Sequence, residues 1–137
     1  MIHFDLNRLL TAIKHIPPVD DEEMESLERL IREVSATLIA ETPVDWDRAI
    51  RLWSELYLRY AWAYSNAIVQ GNDIIHSAED EESIQSIYAY ARWCLLEVSD
   101  PEIYTAVVVN FFEGLGVNRY ARAEINRYMA PDVFAIL

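Results

Sequence analysis

Residues 100–115 read DPEIYTAVVVNFFEGL, from Asp100 to Leu115. Asp100 can cap a helix, and Pro101 suits the first helical position, where its missing N–H would have no partner anyway. Gly114 and Gly116 supply a stop. Between these signals the segment is apolar on nearly every side. The run Ala106-Val107-Val108-Val109 also fits a strand, because adjacent β-branched residues favour extended backbone. The start signal and the length favour the helix. The stretch therefore predicts a buried central helix with the other segments packed around it. Asn110, its one central amide, reads as a hydrogen-bonded core residue. No group in the segment can act on a substrate.

Immediately upstream, Ser77 offers a cap with Asp80 three residues on, resembling a capping box. The helix it starts extends to about Val98, with Ile84, Ile87, Tyr88, Ala91, Cys94, Leu95 and Val98 on one face. Trp93 and Leu96 lie off that face, as expected of a helix sandwiched between layers. Asp45 caps a longer helix expected to reach Gln70, where Gly71-Asn72 breaks it, and Ile74-Ile75-His76 is read as a connector. Its apolar arc holds Trp46, Ala49, Ile50, Trp53, Leu56, Tyr57, Tyr60, Ala61, Tyr64, Ala67 and Ile68. Leu52, Leu58, Trp62 and Val69 fall outside it, with Trp62 among Glu55, Arg59 and Asn66 on the far side.

Nearer the start of the chain, Leu6, Leu9, Leu10 and Ile13 form one helical stripe within Phe4–Ile16, stopped by Pro17-Pro18. His15 lies in its last turn. Asp20 caps a second helix with Leu27, Leu30, Ile31, Val34 and Leu38 buried, ending near Glu41 before Thr42-Pro43. Downstream, Asn118 caps a helix to about Met129, and Pro131 starts a short terminal piece. Three glycines and five prolines leave little material for the turns of a β fold. The expected architecture is a single all-α domain over residues 1–137, with about six helices plus a short terminal one. Two-sided helices favour stacked antiparallel helical hairpins, α-solenoid-like or an irregular bundle.

Net charge is −12, unevenly placed. Residues 1–44 carry nine acids against four bases, and residues 72–102 carry eight against one, Arg92. Two blocks concentrate the acidity: Asp20-Asp21-Glu22-Glu23-Met24-Glu25 and Glu79-Asp80-Glu81-Glu82. Both lie at expected helix N-termini, where two or three acids suit the helix dipole. Four or five adjacent acids, in a chain with a single lysine, Lys14, exceed that need. Such a field repels nucleic acid and steers basic proteins. Arg119, Arg122 and Arg127 form a locally basic face near the C-terminus, better suited to pairing with the chain's own acids than with phosphates.

Chemistry-bearing motifs are few. Histidines occur at 3, 15 and 76 without the paired Glu-x-x-His of a di-iron bundle, and Asp73-x-x-His76-x-x-Glu79 falls in a connector. There is no Gly-x-Ser-x-Gly elbow and no glycine-rich phosphate loop. Cys94, the sole cysteine, sits on an apolar face as a buried inert thiol and suggests a reducing compartment. No secretion signal or membrane-length apolar run is present. Catalysis, cofactor, metal, nucleic acid and membrane are not expected, and the cytoplasm is.

The stretch Tyr88-Ala89-Tyr90-Ala91-Arg92-Trp93-Cys94-Leu95, followed by Asp100-Pro101 and the Ala106–Leu115 helix, resembles small acidic all-α immunity proteins of bacterial toxin–immunity pairs. The resemblance covers about the C-terminal half. It implies a non-catalytic protein that neutralises a basic toxin or effector by stoichiometric occlusion of its active site. Expected partner-binding residues are Asp20, Asp21, Glu22, Glu23, Glu25, Glu79, Asp80, Glu81 and Glu82, with Trp62 or Trp93 as aromatic hot spots beside an acidic rim. The alternatives are a DNA-mimicking inhibitor of a nucleic-acid-binding protein, of the phage type, and a helical scaffold or homodimer.

Overall fold

The computed structural model describes residues 4–14, 20–65, 67–70 and 73–113. Five α-helices occur there: α1 (Leu6–Ile13), α2 (Asp21–Ile39), α3 (Trp46–Ser65), α4 (Ala78–Leu96) and α5 (Pro101–Val107). A two-stranded hairpin of β1 (Ile68–Gln70) and β2 (Asp73–Ile75) joins α3 to α4. The class is all-α. The expected helix from Asn118, the terminal piece, the basic face of Arg119, Arg122 and Arg127, His15 and the glycine stop all lie outside the described residues.

Caps set the helix starts. Asp5 accepts from the Arg8 N–H (3.2 Å), Asp20 from Glu23 (2.7 Å), Ser77 from Asp80 (3.1 Å) and Asp100 from Ile103 (3.0 Å). Each bond satisfies an N–H that the first helical turn leaves without an internal partner. At its far end α2 closes with two backbone bonds, Glu41 N–H to Leu38 and Thr42 N–H to Thr37, both 3.1 Å. These are the bonds of a Schellman motif, and they put Glu41 in the left-handed region at φ 58°.

The α5 segment is helical, as its start signal requires, and then widens into a π-helical turn at Val108–Phe112. Its buried pairs, Ala106-Val107 and Phe111-Phe112, are therefore spaced by five residues. An uninterrupted α-helix would turn Asn110 and Phe111 inward instead. The inserted residue leaves Asn110 half-buried and brings Phe112 into the core. Among the described residues the Asn110 Nδ2 has no hydrogen-bond partner, in contrast to the bonded core amide expected.

Phe111 is the hub of the core. Its ring lies 5.4 Å from Trp53, 5.7 Å from Tyr60 and 5.6 Å from Tyr88. Such tilted and edge-on pairs contribute about 0.5–1.5 kcal/mol each beyond the area they bury. Tyr88 donates to Tyr60 (3.3 Å), and the buried Tyr90 and Ser35 hydroxyls share a 2.9 Å bond, so these hydroxyls are satisfied inside, whereas the buried Trp53 Nε1 has no partner among the described residues. Burial drives the Tyr90 and Cys94 pKa values well up, which keeps the phenol and the thiol protonated.

Three departures from the expected fold have physical causes. First, α3 stops at Ser65, and the segment read as helix end and connector is the hairpin, with Ile68 opposite Ile75 and Gln70 opposite Asp73. Second, the far side of α3 is covered in part: Leu52 and Arg59 are buried, whereas Leu58 and Trp62 stay exposed and Trp46 lies open to solvent. Burial lowers the Arg59 pKa, against the opposing pull of Glu55 and Glu23. Third, the helices do not associate only with chain neighbours, as a solenoid would. α1 packs on α4, and α3 touches both α4 and α5. Residues far apart in sequence close the bundle.

Candidate functional site: two acidic ends

Helices α2 and α4 run parallel. Ser35 bonds Tyr90 across them, and just beyond their ends the Val44 N–H donates to Asp100 Oδ2 (3.0 Å). At the other end α1 bridges them, with the Ser83 hydroxyl donating to the Ala12 carbonyl and Lys14 pairing with Glu28 (2.9 Å). All these links join residues at nearly the same offset along α2 and α4. Both helix N-termini, each with its acidic block, therefore point to one end of the molecule, and both C-termini to the other.

At the N-terminal end, Asp21, Glu22, Glu23 and Glu25 are exposed on the first turns of α2, and Asp20 is the cap. Glu79 is exposed, and Asp80, Glu81 and Glu82 are half-buried on α4. The fold supplies internal counter-charges here. Arg8 forks onto Glu82, its Nη2 lying 3.0 Å from Oε2 and its Nε bonding Oε1. That pair holds the Glu82 carboxyl below the usual range and raises the Arg8 pKa. Gln85 donates to Glu81 at 3.3 Å, Lys14 holds Glu28, and Arg59 lies in the field of Glu23. Glu82, expected as a free partner contact, is committed to α1.

The two tryptophans are separated. Trp62 lies on α3 with Leu58 one turn before it, both exposed. Trp93 is half-buried on α4, stacked on Phe4 (5.0 Å between ring centroids) and on Tyr90 (5.8 Å). Beyond that stack Trp93 forms a wall of a cleft of about 680 Å³ at the C-terminal end. The end of α2, the start of the α2–α3 linker, the α4–α5 connection and the first turn of α5 complete it. Leu38, Ile39, Pro43 and Val98 line it with apolar surface, and Ile39 is 67% exposed.

Among the described residues, four acids line this cleft, Glu41, Glu97, Asp100 and Glu102, and no base does. Sequence reasoning missed the group because it is split between positions 41 and 97–102, each too short to stand out as an acidic block. Asp100 has a structural task, bonding both Ile103 and Val44. Glu102 suits the first turn of α5. Glu41 and Glu97 sit where α2 and α4 present their negative ends, positions that favour cations, and neither helix has a base in its last turn.

Among the described residues no group of three or more His, Cys, Asp and Glu side chains is placed to hold a metal ion, and no helix is long and apolar enough to cross a membrane. No protein-family model, curated protein or solved structure matches this chain.

Proposed function

We propose that this chain is a non-catalytic binding protein that neutralises a basic protein, a toxin or effector, by stoichiometric occlusion of its cationic surface. The observation that carries the reading is the excess of carboxylates beyond what the fold consumes. Ion pairs engage Glu28, Glu33 and Glu82, whereas Asp21, Glu22, Glu25, Glu41, Glu79 and Glu102 lie exposed to solvent. A single-sign surface of this kind accelerates encounter with an opposite charge and repels nucleic acid. On this reading the protein works in the cytoplasm of a bacterial cell, without a cofactor.

The test is affinity purification of the tagged chain from its host, eluting first with salt and then with competing DNA. A basic protein released by salt in one-to-one ratio supports the reading. Its release by DNA at constant ionic strength would indicate a DNA mimic instead. Recovery of the chain with only a second copy of itself would indicate the scaffold or homodimer.

A further inference from the structure

We draw no further inference here: the strongest candidate, the exposed apolar face of α3 at Leu58 and Trp62, carries nothing because nothing in the structure shows what covers it.

Discussion

The two ends of this bundle carry comparable acidity for different reasons. At the N-terminal end, Asp20 to Glu25 and Glu79 to Glu82 lie on first turns where the helix dipole favours them, and Arg8, Lys14 and Arg59 answer three of their neighbourhoods from inside the fold. At the C-terminal end, Glu41 follows the last turn of α2, where the helix dipole disfavours an acid. Acids that the local structure explains are weak evidence of a partner, however many stand in a row. Acids placed against the local electrostatics are stronger evidence, because stability alone would not retain them.

The sharpest way to break this contrast is Asp100→Ala. It removes the α5 cap and leaves the N–H of the buried Val44 without its acceptor. Losses of about 2–3 kcal/mol are expected in urea unfolding, combining a cap with an unsatisfied buried donor. Asp100→Asn keeps an acceptor and should recover most of the loss. A neutral Asp100→Ala would mean that this acid, too, is surplus to the fold.

Next come the caps at the opposite end. Asp20→Ala and Ser77→Ala should each lower stability by about 1 kcal/mol. Glu41→Gly should do the opposite, raising it by about 1 kcal/mol, because glycine adopts the left-handed conformation at φ 58° without the Cβ penalty.

Smaller effects test the dipole argument by sign. Glu22→Gln should cost about 0.3–1 kcal/mol, whereas Glu41→Gln should be stabilising by a few tenths of a kcal/mol. Equal signs would remove the distinction between the ends. The smallest expected effect is the pH dependence of the Arg8–Glu82 pair. The folded-state pKa of Glu82 is depressed, so its stabilisation is fully present above the unfolded value and is lost as pH falls through the lower, folded one. Both side chains are over two-fifths exposed, so solvent limits the contribution to about 0.2–1 kcal/mol. Stability of the wild type and of Glu82→Gln should converge as pH falls below about 4.

Much of the fold was legible one segment at a time. The caps at Asp20, Ser77 and Asp100 are local events, decided within three residues, and they start the helices where the sequence says. The hairpin was legible too but was overlooked. Ile68-Val69 and Ile74-Ile75 are β-branched pairs on either side of Gly71-Asn72, a sequence pattern that favours a hairpin, but Ile68 also fits the broad helical arc of α3. The π-helical turn leaves no comparable mark, because it answers the space around Phe111 and Phe112 rather than a propensity.

What the sequence by itself determined is therefore the all-α class, the capped helix starts and the presence of excess acid. Capping, periodicity and charge are properties of neighbouring residues. Which acids find a counter-charge inside the fold was decided by tertiary structure alone. Arg8 meets Glu82 across 74 positions, and Glu41 meets Glu97 and Glu102 in one cleft, only because α1 folds back on α4 and α2 lies parallel to it. Coulomb interactions act through space, and the chain brings those groups together only by packing.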